Sequence, residues 1–109
     1  DREYGVRQAL FNTVHSYNND QSLLESPHPD PRRARAAALN MIPTTTSAVG
    51  AAVRILPRLE GRLEGFAVRV PTPNVSLVDL AVNLERDPSV DEINAMFGAA
   101  AGGELAGIL

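Results

Sequence analysis

Residues 8–17 read QALFNTVHSY, and the alternation of their side chains decides how the rest of the chain is interpreted. A period of two predicts a β-strand, with Leu10, Asn12, Val14 and Ser16 on one face. The opposite face carries Ala9, Phe11, Thr13, His15 and Tyr17. The pattern therefore predicts a strand that holds a histidine, His15, near its C-terminal end.

Further elements follow this strand. A Thr-Thr-Thr-Ser cluster at 44–47 offers hydroxyl caps to a helix with apolar side chains at helical spacing, which Pro57 ends. Residues 63–70 and 75–85 predict two more strands, and the second helix begins with a Ser-x-x-Glu capping box at 89–92 and ends at Gly102-Gly103. Residues 105–109 predict the start of another strand. This order predicts an α+β fold with one mixed or antiparallel sheet and helices packed on one face.

Composition narrows the functional classes. A chain of 109 residues is long enough for one domain with a modest core. The net charge of -3 argues against nucleic-acid and anionic-membrane partners, which need a broad positive field. The chain has no cysteine for a thiolate metal site, and we expect no bound metal. Because it has neither a signal peptide nor an apolar stretch long enough to span a bilayer, we expect a soluble, cytoplasmic protein.

Four motifs occur in a fixed order along the chain. They read NTVHSYNNDQ at 12–21, RRARAAA at 32–38, IPTTT at 42–46 and VRVPTPNVS at 68–76. Together they resemble the glyceraldehyde-3-phosphate dehydrogenase family, whose histidine segment usually reads T-T-x-H-x-Y-T-N-D-Q. The resemblance implies that residues 1–109 form a single partial catalytic domain. It also implies that the Pro-rich segment 18–40 is the family's S-loop, which lies at a subunit interface and lines the neighbouring subunit's cofactor pocket.

The resemblance gives His15 a catalytic role. A histidine at a strand end is, taken alone, more often a hydrogen-bonded structural residue. In the family the imidazolium stabilises a cysteine thiolate, and the ring then acts as general base while hydride leaves the hemithioacetal. The family's cysteine lies in a segment N-terminal to the first residue of this sequence.

Two phosphate sites are also implied, one for the substrate and one for attacking inorganic phosphate. We expect Arg69 to leave the core, because it faces away from Phe66 and Val68, and to fork onto phosphate oxygens. A structural salt bridge is the alternative. Thr46 and Ser47 can offer hydroxyl and backbone N–H groups at a helix N-terminus, although threonine-rich caps are common.

Further positions extend the resemblance. Arg33 aligns with an arginine that many bacterial members place at the attacking-phosphate site. We expect Arg32 and Arg35 to brace the loop through ion pairs, and His28 to be only a solvated residue. Asn18 stands where the family usually has threonine, and Ser47 where it usually has glycine. We expect both departures to weaken phosphate binding without abolishing it.

The implied parent protein is an NAD-dependent phosphorylating dehydrogenase of glycolysis and, by the same resemblance, a homotetramer. Its substrates are a phosphorylated aldehyde and inorganic phosphate. No Gly-x-Gly-x-x-Gly fingerprint occurs here, so NAD is expected to bind mainly outside this sequence. Pro27 resembles the S-loop proline of NAD-specific members of the family, and this resemblance favours NAD over NADP. The isolated chain is expected to be inactive. Erythrose-4-phosphate dehydrogenase, or a non-catalytic assembly module that retains the fold, are the alternatives.

Overall fold

A four-stranded mixed sheet is the centre of the fold in the computed structural model, which describes residues 3–109. The strands lie in the order β2-β3-β1-β4, with β1 and β3 parallel and β2 antiparallel to β3. A mixed sheet with two α-helices confirms the α+β class. In chain order the elements are β1 (Val6–Ser16), a 3-10 turn (Pro31–Ala34), β2 (Ile42–Thr44), α1 (Ala48–Ile55), a second 3-10 turn (Pro57–Leu59), β3 (Leu63–Val70), β4 (Ser76–Leu84) and α2 (Val90–Gly102).

The register of the three neighbouring strands decides which side chains meet. His15 on β1 lies opposite Arg69 on β3, which in turn lies opposite Ile42 on β2. Directly opposite residues project from the same face of a sheet. Two residues that are 54 positions apart in the sequence are thereby neighbours on one face, at the C-terminal ends of two parallel strands.

This face is the buried one. Ala9, Phe11 and Ala67 are at most 8% exposed, and Ile42 is 1% exposed, whereas Phe66 on the opposite face is 43% exposed. Arg69 lies at the end of this face and is half-buried, and its assignment to the face opposite Phe66 is confirmed. Alternation tells which residues share a face but not which face is covered. Here the 3-10 turn Pro31–Ala34 packs against β2, and the loop that contains it contributes buried Ala36 and Ala37.

The chain divides into two compact units, and the sheet, α1 and the described buried core belong to the unit Val6–Asn83. The second unit comprises the N-terminal residues up to Gly5 and residues Leu84–Leu109. In it the Arg86 guanidinium lies 5.3 Å from the centroid of the Tyr4 ring, and the expected capping box opens α2 through Ser89 and Glu92. The prediction of one partial catalytic domain over 1–109 remains a prediction, and residues 1–2 of that range lie outside the described residues.

Residues 105–109 do not form the expected strand. They continue from α2 as turns, in which the backbone N–H groups of Leu105 and Leu109 donate to the carbonyls of Ala100 and Leu105. Each bond reaches back only four or five residues, so the segment satisfies its polar groups locally instead of pairing in a sheet.

A glycine in β3 is required by close packing, and replacing it tests the β1–β3 contact. A Cβ atom on Gly65 would lie 2.8 Å from both the carbonyl oxygen and a ring carbon of Phe11. We expect Gly65→Ala to destabilise the full-length protein by about 1–3 kcal/mol, because backbone atoms cannot yield. Gly50→Ala in α1 is the matched control, since nothing beyond its chain neighbours and the backbone of its own helix lies within 4 Å of the added methyl group. It should stabilise the helix by about 0.5–1 kcal/mol. Melting temperatures that move equally in both variants would contradict this packing.

Candidate active site

His15 and Arg69 form the centre of the candidate site through direct contact. One terminal nitrogen of Arg69, Nη1, lies 2.9 Å from Nδ1 of His15 and 3.2 Å from the carbonyl oxygen of Ser16. The same Nδ1 is 2.6 Å from that carbonyl. Within residues 3–109 the other ring nitrogen, Nε2, makes no hydrogen bond. The half-buried imidazole is thus held at Nδ1 and offers Nε2 for chemistry.

The backbone beside His15 is fixed by the segment before β4. Ser16 donates its N–H to the carbonyl of Val75, at 3.2 Å, and Tyr17 donates to Thr72, at 3.3 Å. Val75 has a φ of 68°, in the left-handed region that a β-branched residue rarely adopts. Such a conformation costs about 1–3 kcal/mol and persists only where its surroundings enforce it. The Ser16 carbonyl that meets His15 is therefore held by a strained but well-supported segment.

Arg69 has no acidic partner in the part of the chain that the structure describes. The ion pairs found there use Arg32, Arg33 and Arg35, and none uses Arg69. Within residues 3–109, Arg69 therefore does not form the structural salt bridge that was the alternative. A half-buried guanidinium without a counter-ion attracts an anion, and its planar fork suits phosphate or carboxylate oxygens.

Arg33, by contrast, is held by protein groups at all three of its nitrogen atoms. Nε donates to the hydroxyl of Thr44, at 2.7 Å, Nη2 to the hydroxyl of Thr45, at 3.2 Å, and Nη1 to the Asp20 carboxylate, at 2.8 Å. Thr44 is only 4% exposed, so this bond also satisfies a buried hydroxyl. The sequence reasoning did not identify these three partners, because the contacts span 11 to 13 residues of irregular chain. One N–H on each terminal nitrogen remains for an anion.

The other residues expected at a phosphate site are close to a helix start or a turn. Exposed Asn18 accepts the Asp20 N–H through its Oδ1, which leaves the amide NH₂ as a donor. Thr46 supplies the side-chain bond at the start of α1 by accepting the Ala48 N–H, whereas Ser47 occupies the N-cap position without such a bond. None of these side chains is hydrogen-bonded to His15 or Arg69 within the described range, and nor is Arg33.

Ion pairs brace the loop between β1 and β2, as expected for Arg32 and Arg35. Arg32 donates to both carboxylate oxygens of Asp30, and these hydrogen bonds lower the pKa of Asp30 to about 2. Arg35 contacts Glu25 at 2.7 Å. His28 was expected to be only solvated, and this was wrong. Its Nδ1 accepts the Asp30 N–H at 2.9 Å and so becomes part of the same turn.

The whole chain, residues 1–109, matches the family model described as glyceraldehyde 3-phosphate dehydrogenase, C-terminal domain. The chain belongs to this family. The match confirms the resemblance drawn from the four motifs. It also places the His15–Arg69 contact in a glyceraldehyde 3-phosphate dehydrogenase C-terminal domain.

Curated relatives agree with the family match. The chain is 58% identical over 109 residues to glyceraldehyde-3-phosphate dehydrogenase 1 of Bacillus cereus and 56% identical over 107 residues to glyceraldehyde-3-phosphate dehydrogenase of Geobacillus stearothermophilus. It is 53% identical over 109 residues to the enzyme of that name from Mycobacterium tuberculosis H37Rv. These alignments cover 98–100% of this chain. The chain spans about a third of the length of these relatives, 32–33%.

Residues 3–109 show no sign of two other kinds of site, a membrane-spanning helix and a metal centre. No described helix is both long enough and apolar enough to cross a membrane. Among the same residues, no three His, Asp or Glu side chains are grouped so that they could hold a metal ion.

Proposed function

We propose that this chain is part of an oxidoreductase that oxidises glyceraldehyde 3-phosphate with NAD and inorganic phosphate to 1,3-bisphosphoglycerate through a cysteine thioester. The names of the three relatives, at 53–58% identity, support the substrate. The observation that carries the proposal is the contact of His15 with an arginine that lacks a carboxylate partner within residues 3–109. Residues 1–109 alone are inactive, because they contain no cysteine to act as nucleophile.

His15 is the proposed acid–base residue. Imidazole titrates near neutral pH, so the same ring can stabilise a thiolate as a cation and later accept a proton as a neutral base. Nδ1 is occupied by Ser16 and Arg69, and Nε2 is therefore the nitrogen proposed to face the reacting groups. Orientation by a backbone carbonyl is a common way to fix the ring of a catalytic histidine.

Arg69 is the proposed principal phosphate ligand, because its charge is uncompensated by any carboxylate of residues 3–109 and lies beside the proposed base. We assign Arg33, Asn18, Thr46 and Ser47 to the two phosphate sites as secondary donors. Arg33 can use its remaining N–H groups while Asp20 holds it in place. The exposed amide of Asn18 can donate to an oxyanion.

The described residues contain no glycine-rich turn between a parallel strand and a helix, which is the feature that holds a pyrophosphate in dinucleotide-binding sites. NAD is therefore proposed to bind mainly to another part of the parent protein, and residues 18–40 to line the pocket of a neighbouring subunit as the family's S-loop.

A cytoplasmic homotetramer is the proposed assembly. β4 is an edge strand, and in the described structure its Leu77, Val78 and Leu80 are 57–62% exposed. Apolar side chains on an unpaired strand edge favour association with other protein surfaces. A second subunit, together with the rest of the parent protein, is proposed to cover them.

The proposed function is tested by replacing the base in the full-length protein. We expect His15→Asn to lower kcat by about 10²- to 10⁴-fold, because general acid–base catalysis contributes a factor of that size. His28→Asn is the matched control, since asparagine can also accept the Asp30 N–H, and its kcat should stay near the wild-type value. A full-length protein with no turnover on NAD, phosphate and glyceraldehyde 3-phosphate would favour the non-catalytic module instead.

The departure at position 18 gives a prediction about affinity. We expect Asn18→Thr to lower the KM for glyceraldehyde 3-phosphate by about three- to tenfold, equivalent to one modest hydrogen bond, with kcat nearly unchanged. The reason is that the asparagine amide is longer than the threonine hydroxyl and places its donor in a different geometry. Asn19→Thr, which changes the adjacent exposed residue in the same way, should leave KM unaltered. An unchanged KM in Asn18→Thr would count against a role for Asn18 in phosphate binding.

A further inference from the structure

Two contacts at Nδ1 of His15 cannot both be favourable at once. Arg69 has only N–H donors, so its 2.9 Å contact requires a lone pair on Nδ1 and a proton on Nε2. The Ser16 carbonyl is only an acceptor, so its 2.6 Å contact requires a proton on Nδ1. Each neutral tautomer of the ring therefore satisfies one neighbour and opposes the other. An imidazolium, protonated at both nitrogens, cannot accept from Arg69 at all.

The two competing neighbours differ in their freedom to move. The Ser16 carbonyl belongs to β1, and its residue is tied to Val75 on the adjoining segment. Arg69 is a long side chain with no carboxylate partner among residues 3–109, and its remaining described bond at this point, to the Ser16 carbonyl, is 3.2 Å long. Ser16 is thus a fixed partner of the ring, and the guanidinium is a movable one. An arriving anion can displace only the second.

We propose that Arg69 controls which ring nitrogen of His15 carries the proton, and that a phosphate group bound by Arg69 switches the ring to the Nδ1–H form. With the guanidinium against Nδ1, the proton is favoured on Nε2. When a phosphate group draws the guanidinium away, only the Ser16 carbonyl remains at Nδ1, and it favours a proton there. The switch leaves the net charge of the ring unchanged, because Nε2 gives a proton to water and Nδ1 takes one from water.

The consequence is that phosphate bound by Arg69 favours the form of the ring that can act as a base. Nε2 can accept a proton only when it carries a lone pair, and this is the Nδ1–H form. Arg69 thereby acts on His15 as a positioning residue in addition to its proposed contact with phosphate. This inference rests on the proposed function for its phosphate ligand, whereas the tautomer preference set by Arg69 does not need that ligand. The phosphate group could belong to the phosphorylated substrate or be inorganic phosphate.

The test is the ¹⁵N chemical shift of both ring nitrogens of His15 in the full-length protein, labelled at histidine and arginine. The measurement is made at alkaline pH, where the two ring shifts themselves report whether the imidazole is neutral. Loss of the signals in His15→Asn assigns them. Unliganded wild type is compared with Arg69→Met, which removes the donor at similar length. Arg54→Met on the exposed surface of α1 is the matched control.

We expect the Nε2–H form to fall sharply in Arg69→Met and to be unchanged in Arg54→Met. Identical tautomer populations in wild type and Arg69→Met would overturn the proposal. Titration of wild type with inorganic phosphate, and separately with glycerol 3-phosphate, needs no variant and so remains decisive if Arg69→Met fails to fold. The probe that moves the ring towards Nδ1–H identifies which source of phosphate Arg69 binds.

The Arg69 Nε signal separates this proposal from the proposed function. If either probe moves that signal while the His15 tautomer stays constant, the switch is wrong and the phosphate site stands. If neither probe moves it, the proposed phosphate site and the phosphate-driven switch are both wrong. The tautomer preference set by Arg69 is then decided by the Arg69→Met comparison alone.

Discussion

The parallel pairing of β1 with β3, in the register that sets His15 opposite Arg69, is the constraint on which the site depends. A shift by one residue would move either side chain to the other face of the sheet and separate them. The register is supported by close packing, because the Phe11 ring and carbonyl occupy the space that any side chain at Gly65 would need. It is also supported at the far end by Arg62, which donates to the carbonyl of Val6 at 3.0 Å. Packing near the middle of β1 and β3 thus positions His15 and Arg69 at the C-terminal ends of these strands.

Much of this fold follows from the sequence, because its strands carry clear alternation. The bounds of β3, the start of α2 and the strand that carries His15 are determined by local patterns of side chains and by a capping box. Which face of the sheet is buried does not follow from alternation, since that depends on where an irregular loop packs. The partners of Arg33 were missed for the same reason: Asp20, Thr44 and Thr45 come together only once the loop has folded. The strand expected at 105–109 was wrong because a short apolar segment can also pair its backbone N–H groups with nearby carbonyls, and it then forms turns.

The two arginines near the sheet differ in what their surroundings leave free. Arg33 is anchored by two hydroxyl groups and a carboxylate, so its position is fixed and much of its hydrogen-bonding capacity is used. Arg69 contacts an imidazole and a carbonyl, both of them weak partners for a cation compared with a carboxylate. We therefore expect an anion to gain more binding free energy from Arg69 than from Arg33. The same weak partners leave Arg69 able to move, which is what a residue that both binds a ligand and acts on its neighbour needs.

The most direct test of the central claim, that the β1–β3 register builds an anion site from His15 and Arg69, is a crystal structure of the full-length protein soaked with inorganic phosphate. We expect phosphate oxygens within hydrogen-bonding distance of the Arg69 guanidinium, with the His15 ring on the same face of the sheet. We also expect Nδ1 of the ring to remain on the Ser16 carbonyl. Phosphate bound only elsewhere, with Arg69 paired to a carboxylate from another part of the protein, would contradict the account.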